Sequence, residues 1–159
     1  MKRVNTIRAV LLLVLPVLVA GLAGCGAAPK KESLEVRIST TTDVNPDVDS
    51  RPSPIILHIL ELTAIDEFNR ADYFALTQED AATLSGDVVH KTEIILTPGT
   101  SRAATLELDE TVGYLGFVAG YRDIDSSRWR ITQEVRPGKT DWIAVSLGKD
   151  RISIDTVKD

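Results

Sequence analysis

Few side chains in this sequence are arranged for chemistry. His58 and His90 are the only histidines, and neither has a partner at metal-ligand spacing, so each reads as a satisfied structural histidine. Ser146 and Lys149 match S-x-x-K, in which a lysine activates a serine. That pairing requires the lysine to return on the next helical turn, whereas here the segment runs from a strand into a Gly-Lys-Asp turn. The pairs Asp47/Asp49 and Asp123/Asp125 could each offer oxygens to a calcium ion, but neither continues into a loop with the required glycine and terminal glutamate. Arg128 and Arg130 flank Trp129 and could hold an anion or a sugar, or could mark the wet face of a strand whose Trp is core. No acid–base pair, nucleophile or metal set stands out, which argues against an enzyme and implies no cofactor or metal.

The one cysteine has a different chemistry. Cys25 follows Leu22-Ala23-Gly24, which sits behind a basic start (Lys2, Arg3, Arg8) and the apolar run from Ala9 to Ala20. That run is too short to span a bilayer and Pro16 breaks it, so residues 1–24 read as a cleaved signal peptide. Small residues before a cysteine resemble a bacterial lipobox, in which cleavage exposes the cysteine for acylation. The expectation is a covalent lipid on Cys25, with an ordinary signal peptide and an incidental cysteine as the alternative. Several acyl chains at about 0.8 kcal/mol per buried methylene would make release negligible. Gly26, in place of an aspartate, points to the outer membrane by the sorting rule for such lipoproteins.

Removing residues 1–24 takes three basic groups and no acidic one from a chain of formal charge −5, leaving −8. With no basic tract, nucleic acid is an unsuitable partner and a basic protein patch a suitable one. Residues 25–33 read as a lipidated cysteine and flexible tether, and 34–159 as one domain.

Within that domain the pattern is β. Leu34, Val36 and Ile38 alternate with polar residues, and Ile55–Leu62 is apolar on both faces, a strand covered on both sides. Further strands are expected near 88–96, 102–109, 112–122, 128–135, 142–147 and 151–157, with Trp129, Ile131 and Val135 inward and Arg128, Arg130 and Glu134 outward. About eight strands with regular turns predict an all-β sandwich carrying a helical insertion over 64–86. In that insertion Phe68, Tyr73 and Phe74 are expected anchors, and a clearer helix is expected from an N-cap at Thr77 to Gly86.

Between the first two strands lies a long connection, 41–54, with Pro46, Pro52 and Pro54, three aspartates and Arg51. Sandwich hairpins commonly take about two to five residues. Proline fixes φ, so a loop this stiff loses less entropy on docking; Val48 offers an apolar contact while Asp47, Asp49 and Arg51 set orientation. A surface loop stiffened only for stability is the alternative.

The run VNPDVDSRPSPIILHILEL, followed in order by FNRADYFAL, LTPG, LGFVAGYRD and WR, resembles the outer-membrane lipoprotein family of the type VI secretion system (TssJ, VasD or Lip). The resemblance implies a transthyretin-like sandwich and a non-enzymatic role at the periplasmic side of the outer membrane. It further implies binding to the periplasmic C-terminal region of TssM, with TssL completing the complex. The loop between the first two strands is then a principal contact, and Asn45, Pro46, Asp47, Val48, Asp49 and Arg51 are its expected partner-binding residues. The sequence departs from the family at Ser50, where glycine is frequent, and at His58 and Leu60, near an arginine and a tyrosine of relatives. Outside the resemblance, a lipoprotein that binds a small ligand or glycan through Arg128, Trp129 and Arg130 is the competing reading.

Overall fold

The computed structural model describes residues 31–78 and 86–158. Eight strands form two four-stranded sheets: β1 (Glu32–Thr40), β2 (Ile55–Leu62), β3 (Val88–Leu96), β4 (Ser101–Leu108), β5 (Tyr114–Ala119), β6 (Arg130–Glu134), β7 (Trp142–Leu147) and β8 (Ile152–Lys158). One sheet has the order β4-β1-β7-β8 and the other β3-β2-β5-β6; β1 and β7 run parallel and every other pair antiparallel. The expected sandwich is therefore present, with strand ends shifted. Glu32 and Ser33, assigned to the tether, already pair with Leu108 and Glu107. The fifth and sixth strands are shorter than the alternation suggested because Val112 and Val135 continue the apolar pattern without ladder partners.

Alternation decides the faces. Leu34, Val36 and Ile38 meet Leu57, Ile59, Phe117 and Val145 between the sheets, all essentially without solvent. The opposite face of the second sheet carries Leu60, Leu62 and Val118, and this is where β2's second apolar face is buried. Two short helices cover it: α1 (Asp66–Arg70) and α2 (Tyr73–Thr77). A five-residue helix has no stability of its own, so tertiary contacts must hold both.

Three contacts do so. Phe68 and Leu76 are fully buried against that face. The Arg130 guanidinium donates to the carbonyls of Phe68 (3.0 Å), Ala71 (2.8 Å) and Asn69 (2.8 Å), the unpaired acceptors at the end of α1. Asp72 caps α2 by accepting from the Ala75 amide at 2.8 Å, and Lys91 donates to Thr77 and Gln78 at its other end. The expectations for this insertion are corrected at two points. Phe74 is 69% exposed, because on a five-residue helix Tyr73 and Leu76 already take the inward face, while α1 supplies Phe68. Thr77 closes α2 rather than opening a helix; its hydroxyl donates back to the Tyr73 carbonyl. The rest of the helix expected up to Gly86 falls on residues 79–85, outside the described residues, while Gly86 has the positive φ of 87° expected of it.

His58 is buried on the same outer face, but it is not a satisfied histidine. Among the described residues its Nδ1 has no hydrogen-bond partner, and it lies 3.5 Å from Glu93 Oε2. Burial lowers its pKa from 6.5, the Lys91 ammonium adds to this, and Glu93 opposes. A histidine whose folded pKa is depressed costs nothing above the unfolded pKa. As pH falls below 6.5 the unfolded chain gains a proton the folded one refuses, and stability drops. Wild type is accordingly expected to lose stability relative to His58→Leu as pH falls from 7 towards 5. Urea midpoints across that range check it, and parallel profiles would contradict it.

Candidate partner-binding site

At the far end of the sandwich from Lys31, the loop 41–54 leaves β1 and is stapled down before it rises. Gly99 donates to the Thr41 carbonyl at 3.1 Å, and the Thr41 amide donates to Leu147 at 2.9 Å. Val44 is fully buried in the main core. Asn45 follows, 3% exposed, at φ 49°, a left-handed conformation that asparagine tolerates better than most residues. Its Nδ2 donates to the Pro54 carbonyl at 2.8 Å, closing the loop's base, and its Oδ1 accepts the Arg122 amide at 2.8 Å. Its own amide donates to the Lys149 carbonyl at 3.2 Å. One residue thus joins the β1–β2 loop to the β5–β6 loop through its side chain and to the β7–β8 loop through its amide.

Beyond Asn45 the tip is organised by Asp47. Its Oδ1 accepts the amides of Asp49 and Arg51, each at 2.9 Å, and its Oδ2 accepts Arg51 Nε at 2.8 Å. The Asp47 amide donates to the Arg51 carbonyl and the Ser50 amide to the Asp47 carbonyl, both at 2.9 Å. Arg51 also reaches Asp49 at 3.0 Å. The Arg51 amide and then its guanidinium hold the Asp47 carboxyl below the usual carboxylate range, with Arg122 adding to it. These bonds are exposed, so their value is orientation rather than stability. They keep the tip folded while Val48 stands wholly in solvent.

Ser50 occupies the second left-handed position, φ 62°. Glycine adopts this conformation without the roughly 1 kcal/mol charged to a residue with a Cβ, at some cost in unfolded-state entropy. Ser50→Gly is expected to leave stability unchanged or raise it by up to about 1 kcal/mol, read as a shift in the urea midpoint. A clear loss would mean that the Ser50 side chain contributes something beyond its backbone.

Beside the tip runs a groove of about 780 Å³, floored by Asn45 and Tyr121 and edged by Pro46, Asp47, Val48, Arg122, Asp123 and Lys149. Tyr121 is buried and donates its hydroxyl to the Gly148 carbonyl at 3.1 Å, tying the two neighbouring loops together beneath the groove. Burial raises its pKa well above the phenol range, with Asp150 adding and Arg151 opposing, so it stays neutral.

The six expected partner-binding residues therefore divide. Val48, Asp49 and Arg51 are exposed, Pro46 and Asp47 are half-buried, and Asn45 is interior, where both polar atoms of its side chain are already used. Asn45 braces the loop from below and meets the groove only at its floor. Arg122, Asp123 and Lys149 join the site from remote loops; nothing local in the sequence marks them. Arg51 and Lys149 are the basic groups of an otherwise acidic tip, alongside Arg122.

The other candidate chemistry disperses. Arg130 is spent on α1, its guanidinium also stacking over Trp129 at 4.8 Å, and Trp129 packs edge-on against Tyr73 at 5.5 Å. Trp129 and Arg130 thus serve as a strut for the insertion. Ser146 bonds Ser39 and Asp155 instead of Lys149. Asp123 Oδ1 accepts the Ser126 amide, and among the described residues no three His, Cys, Asp or Glu side chains gather to hold a metal. Nor, among them, is any helix long and apolar enough to cross a membrane. Cys25 lies outside the described residues.

Comparisons with known proteins agree with this geometry. The model of T6SS-SciN, the type VI secretion lipoprotein family of VasD, EvfM and TssJ, matches residues 32–150. The type VI secretion lipoprotein TssJ1 of Pseudomonas aeruginosa is 35% identical with a TM-score of 0.75, covering 83% of this chain and 98% of that one. Lip of Serratia marcescens, a membrane-bound component of a type VI secretion system, shares the fold at 19% identity and TM-score 0.73, covering 79% of this chain and 98% of that one. A chain from a type VI membrane complex does so at 22% identity and TM-score 0.70, with the same coverages. Among curated proteins none matches. The family match runs from the first residue of β1 into the turn before β8. The chain belongs to the type VI secretion lipoprotein family, the TssJ family, a non-enzymatic component of the secretion apparatus.

Proposed function

We propose that this chain is an outer-membrane lipoprotein, held by a lipid on Cys25, that anchors the trans-envelope complex by binding the periplasmic C-terminal region of TssM, with TssL completing the assembly. The observation that supports the reading best is the β1–β2 tip: folded by Asp47, braced by Asn45, and holding Val48 fully exposed beside a groove. A prepaid conformation of this kind lowers the entropic cost of docking. β1 separates the tip from Lys31 by about 30 Å at the usual rise per strand residue, so a tether leading back to Cys25 would direct the tip away from the membrane.

Two experiments test the two halves. Wild type and Cys25→Ser are fractionated; membrane association that survives the substitution rules out the lipid. Binding of the mature domain to the TssM periplasmic region is measured with Val48→Asp and Arg51→Glu. Each is expected to weaken it more than about tenfold if the tip is a hot spot, with melting unchanged because neither residue is buried. Unaltered affinity in both would move the contact off this loop.

A further inference from the structure

At the opposite end of the sandwich a second cleft, of about 320 Å³, opens between the edge strands β3 and β4, which belong to different sheets. Glu61 lies at its base. Counting along β2 from Leu57 and Ile59, Glu61 belongs to the face that points between the sheets. The register against β3 slips between Glu61 and Leu62, where Val89 is left unpaired. Such bulges re-aim side chains and are enriched next to binding sites.

Glu61 is 4% exposed, lines the cleft, and makes no hydrogen bond or ion pair with any described residue. Its oxygens are not shut off from solvent, as His58 Nδ1 is, but open into the cleft, where the N–H donors of a ligand can reach them. The rim carries Glu107 and Asp109 against Lys31 and His90, and Thr92 and Thr105 complete the walls. The cleft thus gathers three carboxyl groups, Glu61, Glu107 and Asp109, around one lysine. Burial pushes the Glu61 carboxyl above its usual range; His90 opposes this, Asp109 adds to it and Lys31 opposes it.

We propose that this cleft is a binding site for a small primary ammonium group on a short stem. Its N–H donors meet Glu61 at the base and the acidic rim above, while Leu106 and Val89 pack the stem. The donor set excludes an anion, and no three ligands converge for a metal among the described residues. Two sources present this chemistry: a free amine, or the amine of an ethanolamine lipid headgroup. The second is open to this cleft because its rim residue Lys31 is where the described chain begins, six residues after Cys25.

The test uses the mature chain, residues 25–159 with Cys25→Ser, labelled for NMR at side-chain carboxyl carbons and methyl groups. Ethanolammonium chloride is titrated against an equal ionic strength of sodium chloride. Binding is expected to saturate, to move Glu61 and Leu106 but not Val48, and to lower the pH at which Glu61 titrates. Glu61→Gln, nearly isosteric, should bind more than tenfold more weakly while melting no lower than wild type. Vesicles of phosphatidylethanolamine in phosphatidylcholine, against phosphatidylcholine alone, separate the sources. A Glu61-dependent response to the former vesicles but not to free ethanolammonium assigns the headgroup; the reverse assigns a free amine. If neither moves Glu61 beyond the sodium chloride control, or if Glu61→Gln binds as wild type does, water alone solvates the carboxylate and the proposal falls.

Discussion

Asn45→Ala is expected to cost about 2–4 kcal/mol and to loosen the proposed partner-binding tip, although Asn45 is only 3% exposed. The substitution removes two part-buried hydrogen bonds, to the Pro54 carbonyl and from the Arg122 amide, each worth about 0.5–1.5 kcal/mol net. It also leaves a Cβ residue at φ 49° without asparagine's local compensation, worth roughly another 1 kcal/mol. Asn45→Asp separates the two bonds: the acceptor for Arg122 remains, while the donor to Pro54 becomes an oxygen facing an oxygen. Its loss should lie between wild type and alanine. Urea midpoints give the energies, and amide exchange across 46–52 reports whether the tip has lost its base. An Asn45→Ala chain that melts with wild type would show that the loop holds itself without this strut.

The second large effect concerns the helical insertion. A Cβ built on Gly116 would stand 2.6 Å from Phe68 Cε2, 2.9 Å from Cζ and 3.0 Å from Leu62 Cδ1. Gly116 is therefore the notch in β5 that admits the Phe68 ring. Gly116→Ala is expected to destabilise by about 1–3 kcal/mol through overpacking, and Phe68→Ala by about 3–5 kcal/mol through the cavity it leaves. Because the clash needs both partners, the double substitution should cost less than the sum, by about 0.5–3 kcal/mol of coupling. Exchange protection of α1 and α2 should fall before that of the sheets, since Phe68 and Arg130 are what hold these short helices. Strict additivity would mean that the cost of a Cβ at position 116 comes from Leu62 rather than from the Phe68 ring.

Much of the fold was legible because strand faces follow local period. Ile143, Val145 and Leu147 alternate with half-buried residues as their spacing required, and β2 is buried on both faces as its apolar residues on both sides implied. The insertion was read less well. Phe74 looked as good an anchor as Phe68, and Thr77 as good a cap as Asp72. Five-residue helices carry too little periodicity for the sequence to choose between such neighbours, and packing against β2 and β5 chooses instead. His58 matched the period of its strand, yet nothing local revealed that its Nδ1 would be left without a hydrogen-bond partner among the described residues.

The sequence by itself determined the sandwich, the stiff loop with its exposed Val48, the acidic balance, the expectation of a lipid at Cys25, and the family resemblance. Each rests on residue type or on a spacing of a few residues. Tertiary structure alone decided how the polar side chains are used. Asn45 meets Arg122 across 77 residues, and Arg130 reaches α1 across 59 to 62. Glu61, one polar position in an apolar strand, faces a cleft whose opposite wall is β4. Hydrogen bonds are satisfied by whatever folding brings within about 3 Å, and no local pattern encodes which remote group that will be.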